Sequence, residues 1–309
     1  MRQVKVVILW VSLFVMGTID SDAQNWLKHL GKRAEEAAKR RVEHKVDKTV
    51  DKALDKAEEK LEKTAEKNDQ KQKKKDKTSI VEPPDIGTPA TDASDWDNGE
   101  PYYALKKGTK LTYTLYDGKS KMQGYSIQEI KEITRTQSSV EAVVAGSFTD
   151  SKGKVQHAAT VSLRFNNGNF HVDLLNMMLP KNMEGMDLET EVSGRDMIIP
   201  ATLTPGKILP DAEASFHFNM KNENEAFNLP PLVFHVFNRR AVRAEIVDTP
   251  MGKYVCFKII QTVEADYPLI GKRLSTSVTW IGKGMGVVKS EGYDAKGRLM
   301  NRMLLTQIE

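Results

Sequence analysis

Six histidines, a single cysteine and a large set of carboxylates are the side chains of this 309-residue sequence that could carry out chemistry. His157, His171, His217 and His235 fall in strand-like runs, with no His-x-His or HExxH spacing to gather metal ligands. In Phe216-His217-Phe218 and Phe234-His235-Val236 the period of two turns each histidine away from its aromatic neighbours. Gly282-Lys283-Gly284-Met285-Gly286 has the glycine density of a phosphate loop but lacks the second half of GxxxxGK[ST]. A strand follows it, not the helix whose N–H groups would hold phosphate. Its glycines read as suppliers of positive φ in a tight reversal between Trp280 and Val287. No GxSxG elbow occurs, and Glu184, Asp187 and Glu189 read as a solvated acidic loop. Cys256, inside Tyr254-Val255-Cys256-Phe257, reads as a small apolar strand residue. The expectation is a protein that is not an enzyme and uses no cofactor or metal.

One apolar cluster could bind a ligand. Met177, Met178, Met183 and Met186, followed by Met197-Ile198-Ile199, are flexible side chains that adapt to irregular apolar partners. They read either as a loop capping the core or as a lid over an acyl chain or peptide.

The elements that must position these residues are strands. Leu111, Tyr113 and Leu115 alternate with Thr112, Thr114 and Tyr116. Val155, His157, Ala159, Val161, Leu163 and Phe165 alternate with polar or small residues, and Leu274, Thr276, Val278 and Trp280 with Arg273, Ser275, Ser277 and Thr279. Such alternation predicts strands with one core face and one wet face. Turn signals at Asp117-Gly118, Asp150–Gly153, Asn166–Asn169 and Pro250–Gly252 predict an antiparallel meander of about a dozen strands over residues 101–309. The fold class is mainly β, a curved sheet or half-barrel, with a sandwich also compatible, preceded by a long N-terminal α-helix. Charges such as Glu129, Lys131, Glu132 and Lys258, and an aromatic content of only 7%, argue against an outer-membrane barrel.

Upstream, residues 1–23 read as a signal peptide: Arg2 and Lys5, then the apolar run Val6–Gly17, then Ser21-Asp22-Ala23, with cleavage between Ala23 and Gln24. Residues 24–77 carry 18 Lys/Arg against 12 Asp/Glu, while residues 78–309 carry 26 against 28, so a basic segment precedes a nearly neutral body. Within it, residues 26–67 read as one helix rich in Ala, Glu, Lys and Arg, with Glu35/Lys39 and Glu59/Lys63 pairs. Its narrow stripe, from Trp26 and Leu30 to Leu61, suits a solvated stalk, a weak coiled coil or partner helix, or a segment lying on anionic lipid. No aromatic residue is interleaved with its later lysines, so nucleic acid is not an expected partner. Residues 78–100, with Pro83, Pro84, Pro89 and several aspartates, form a linker. With one cysteine, no internal disulfide is available and packing must stabilise the core.

Several stretches together resemble the TapB-type family of exported β-rich proteins, which overlaps a broader domain of unknown function. They are Ile199-Pro200, Pro205–Ala212, Asn238-Arg239-Arg240, Thr249–Cys256, Trp280, Gly284–Glu291, Tyr293–Gly297 and Leu304-Leu305. The resemblance spans 101–308 and implies an envelope location and an antiparallel β fold, without catalytic residues.

The sequence therefore leads to an exported envelope protein of non-enzymatic, interaction or structural type, in the periplasm or associated with the outer membrane and not spanning it after signal cleavage. The partner is an unknown protein or envelope component, with lipid or a membrane surface available to the basic helix. The alternative is a carrier or sensor holding an apolar ligand such as a lipid chain in a curved sheet. A weaker one is a hydrolase whose site leaves no motif.

Overall fold

The computed structural model describes residues 88–89, 101–103, 105–173, 188–222, 225–228, 230–267 and 271–309. The expected signal peptide with its Ala23–Gln24 junction, the helix over 26–67, most of the linker, and Met177, Met178, Met183 and Met186 lie outside the described residues.

Among the described residues, alternating sequences and Gly-, Asn- or Asp-bearing turns produce fifteen strands in one sheet. In chain order they are β1 (Thr88–Pro89), β2 (Lys110–Asp117), β3 (Met122–Arg135), β4 (Ser139–Asp150), β5 (Val155–Asn166), β6 (Asn169–Val172), β7 (Leu188–Arg195) and β8 (Met197–Pro200). There follow β9 (Ala212–Asn222), β10 (Glu225–Asn228), β11 (Leu232–Thr249), β12 (Gly252–Tyr267), β13 (Gly271–Gly282), β14 (Gly286–Asp294) and β15 (Leu299–Ile308). All pairings are antiparallel.

The sheet curls into a nearly closed barrel rather than an open half-barrel. From β11 the neighbours run β12, β13, β14, β15, β2, β3, β4, β5, β6 and β8. Only Asp196 separates β8 from β7, and β7 pairs with the edge of β9 that β11 leaves free. Residues 188–200 thus serve both β6 and β9 and complete the circle. β10 extends β9 beyond the ring, and β1 adds a two-residue pairing on β11 at Glu245 and Ile246.

The register sorts side chains into two faces. One inward row runs Ala241, Ile259, Thr279, Ser290, Met303 and Leu115, each opposite the next across neighbouring strands. The adjacent outward row runs Lys258, Trp280, Lys289, Leu304 and Thr114. The core gathers inward residues from all round the ring, including Tyr113, Phe170, Met197, Phe216, Phe234, Phe257 and Leu305.

β13 departs from the expected single wet face. Ser275 to Gly282 are all buried, and the inward side is Ser275, Ser277, Thr279 and Ile281, not the Thr276, Val278 and Trp280 side. Val155, expected on the core face of β5, is 58% exposed because it directly follows a hairpin tip, whereas Ala159, Val161 and Leu163 on the same face are buried. Among the described residues no helix is long and apolar enough to cross a membrane.

Candidate functional site at the barrel mouth

Hairpin polarity places the β3–β4, β11–β12 and β13–β14 turns at one end of the barrel, here the mouth, because each antiparallel neighbour reverses direction. The chain enters the domain across this end. Pro101 and Tyr102 accept hydrogen bonds at their carbonyls from the backbone N–H of Gly284 (2.7 Å) and Gly286 (2.5 Å). Tyr103 is thereby held in the mouth, its ring centroid 5.0 Å from that of Phe170 on β6. Gly286 has φ +75°, and a Cβ there would stand 2.9 Å from the Tyr103 ring, so glycine serves both the turn and the close approach. Burial and the neighbouring Tyr113 push the Tyr103 hydroxyl well above its ordinary pKa, so it stays neutral.

Outside this plug lies an open cleft of about 540 Å³, lined by Pro101, Tyr103, Leu105 and Met285 and rimmed by Lys106, Arg135, Lys283 and Gly284. Three cations and no carboxylate line it. The Lys283 ammonium sits 4.5 Å from the centroid of the Tyr102 ring and donates to the Ala201 carbonyl at 3.2 Å, tying the β13–β14 turn to the segment after β8. Arg135 Nη2 donates to the Leu105 carbonyl at 3.1 Å.

Below the mouth, Arg239 closes the seam left where β9 begins short of β8. A bulge at Asn238 (φ +51°) inserts an extra residue into β11 and turns Arg239 inward. The side chain is fully buried. Nε donates to Gln261 Oε1 at 3.1 Å, and Nη1 to the carbonyls of Ile198 (3.2 Å) and Pro210. Burial lowers its pKa to about 10, with Asp211 and Tyr103 opposing, so it remains a cation near neutrality.

The outer wall of β11–β15 carries a second polar system. Glu245, only 1% exposed, accepts from Trp280 Nε1 at 2.7 Å and pairs with Arg243 (3.0 Å) and Lys258 (3.4 Å). Lys258 and Lys289 flank the Trp280 ring, at 5.6 and 4.3 Å from its centroid. Glu291, 2% exposed, pairs with Lys289 (3.0 Å) and Arg302 (2.9 Å) and accepts from the Tyr293 hydroxyl at 2.5 Å. Burial raises the Glu291 carboxyl, but Lys289, Tyr293 and Arg302 outweigh it and its pKa falls below the ordinary value. Both carboxylates are saturated with donors. The array holds its charges in place by mutual pairing.

His171, His217 and His235 lie apart from one another on different strands. His171 and His235 each lie near one aspartate, at 3.9 Å from Asp196 and 3.8 Å from Asp211, and His217 is exposed. Among the described residues no group of three His, Cys, Asp or Glu could hold a metal ion. Cys256 is buried, and burial together with Glu245 pushes its thiol far above the ordinary pKa. Gly282–Gly286 forms the expected reversal, with positive φ at Gly284 and Gly286. Sequence reasoning missed Tyr103, Arg239 and the Glu245–Trp280–Glu291 array. The array left one signal: lysines and a tryptophan at positions that pair across three consecutive strands.

With this geometry in hand, the chain can be placed. The DUF3108-like family model matches residues 106–305, and the chain belongs to that family. The resemblance is thus carried by the broader domain, and the narrower TapB-type name is not supported. Two solved structures share the fold. One is from Bacteroides fragilis, described as a candidate exported protein with a YmcC-like fold. It is 21% identical, covering 68% of this chain and 99% of its own, with a TM-score of 0.54. The other is from Parabacteroides distasonis, described as a candidate lipoprotein. It is 17% identical over 68% of this chain and 99% of its own, with a TM-score of 0.56. No curated protein matches the sequence.

Proposed function

We propose that the protein is exported to the cell envelope and acts there as a non-enzymatic interaction module, with partners meeting the outside of its barrel. The observation that carries this reading is a single hydrophobic core among the described residues, with the Tyr103 ring seated at the mouth against Phe170 and Gly286. The exported address rests on the sequence of residues 1–23 and accords with the descriptions of the two fold neighbours.

A second reading, a carrier of an apolar ligand, draws on the mouth cleft. An apolar floor of Tyr103, Leu105 and Met285 beside Lys106, Arg135 and Lys283 fits an amphiphile with an anionic head. Native mass spectrometry of the full chain purified from the envelope separates the two. A protein mass without adduct is the expected outcome. A reproducible co-purifying lipid mass, lost on Met285→Trp, would replace the first reading with the second.

A further inference from the structure

The end of the barrel opposite the mouth is built from a repeated tip. The β2–β3, β4–β5 and β14–β15 turns read Asp117-Gly118-Lys119-Ser120-Lys121, Asp150-Ser151-Lys152-Gly153-Lys154 and Asp294-Ala295-Lys296-Gly297-Arg298. In each, the Asp Oδ1 accepts the backbone N–H of the residues two and four ahead, at 2.9–3.0 Å. In each, the residue three ahead has positive φ (Ser120 61°, Gly153 80°, Gly297 74°) and donates its N–H to the Asp carbonyl at 2.9 Å. The second carboxylate oxygen is taken by Gln123, Gln156 or Arg298. Each carboxylate is thus turned into the fold of its own hairpin, while the lysine side chains play no part in the turn and point to solvent.

The ring order β14–β15–β2–β3–β4–β5 makes the three hairpins consecutive neighbours, and antiparallel pairing puts all three tips at the same end. Two strand spacings separate successive hairpins, roughly 10 Å. The tips bring six cations against three carboxylates, and the residues beside them, Met122, Gln123, Thr149, Gln156, Leu299 and Met300, are uncharged. Val155 stands 58% exposed next to Lys154.

We propose that this end docks on an anionic lipid surface, with Lys119, Lys121, Lys152, Lys154 and Lys296 over the headgroups and Val155 at their boundary. An array spread over three successive hairpins along an arc of the rim suits a planar layer of charge better than a single bound ion. Basic side chains held near such a layer add attraction charge by charge and lose it with salt. The envelope reading enters only in the choice of lipid as the polyanion.

The test is co-sedimentation of the full chain with vesicles of equal parts phosphatidylglycerol and phosphatidylcholine, against phosphatidylcholine alone. The triple variant Lys119→Glu/Lys152→Glu/Lys296→Glu changes one lysine per tip and spares every turn hydrogen bond, which circular dichroism and an unchanged melting temperature would verify. A control, Lys107→Glu/Lys131→Glu/Lys253→Glu, changes the same net charge at exposed lysines away from the tips. The expected result is binding to the anionic vesicles only, weakened on the order of a hundredfold or more in the tip variant and little in the control. Equal binding to neutral vesicles, wild-type binding by the tip variant, or equal loss in the control would each overturn the proposal. So would tip-dependent retention on a sulfated polysaccharide without vesicle binding, which would assign the surface to an anionic chain. None of these outcomes bears on the packed core behind the proposed function.

Discussion

Tyr103 and Gly286 occupy each other's space: the tyrosine ring lies where a side chain on residue 286 would begin, 2.9 Å from the Cβ position. The backbone N–H of Gly286 also holds the carbonyl of Tyr102. The first residues of the domain are therefore locked to the β13–β14 turn by a contact that glycine alone permits.

Gly286→Ala should destabilise the protein by about 1–3 kcal/mol, from the positive φ and the overlap with the ring. Tyr103→Ala should remove the overlap, so the double variant should lose less than the sum of the singles, as read from urea midpoints. Strict additivity would show that the ring does not fill the space above Gly286.

Glu291→Gln should cost about 2–3 kcal/mol. This is less than breaking a fully buried pair, because Lys289 and Arg302 keep part of their side chains in water. The folded carboxyl titrates below its ordinary 4.5, so its stabilisation is complete above that pH and is lost as the pH falls towards the folded value. The variant should therefore flatten the acid limb of a stability–pH profile. An unchanged acid limb would place the acid sensitivity elsewhere.

At the alkaline limit the sign reverses. Burial, with Glu245, raises the Cys256 thiol above its ordinary 9.0. Burial also raises Tyr103, Tyr113 and Tyr293 above 10.0, with Tyr113 adding to the shift of Tyr103 and the Glu291 hydrogen bond to that of Tyr293. Their contribution is whole below pH 9.0 and declines as pH rises, because the unfolded chain ionises first. Cys256 should not react with an aromatic disulfide reagent at pH 8 until the protein unfolds. Rapid labelling of the native protein would contradict its burial.

The three tip aspartates give a matched series. Asp117→Ala, Asp150→Ala and Asp294→Ala each remove an acceptor of two backbone N–H groups and should each lower the melting temperature. Asp294→Ala should cost most, since it also frees Arg298, bonded through Nε at 2.6 Å. Melting temperatures of the three variants check the order.

Much of this architecture could be read from the residues. The alternation in β5 marks Ala159, Val161 and Leu163 as core, and the glycines of 282–286 mark a reversal. β13 misled because both of its faces are covered, which removes the polar–apolar contrast on which a period-two reading depends. The closure was invisible for another reason. It rests on four-residue β6 and β8 and on a single strand run shared by two partners, and no local pattern encodes a pairing between distant segments. Arg239 was legible only as part of Asn238-Arg239-Arg240, since the bulge that sends it inward reverses the side that alternation assigns.

The pairing of β15 with β2 bears on how the chain reaches its native state. Ile308 lies opposite Leu111, and Lys110 and Glu309 exchange backbone hydrogen bonds at 2.9 Å, so the first long strand finds its neighbour in the last. During synthesis β2 waits with one edge bare until nearly two hundred further residues have emerged, roughly ten to forty seconds at usual elongation rates. For that interval its N–H and C=O groups are open to any strand that arrives first. A chaperone that shields Lys110–Asp117 over that interval would keep this edge from pairing with the wrong strand.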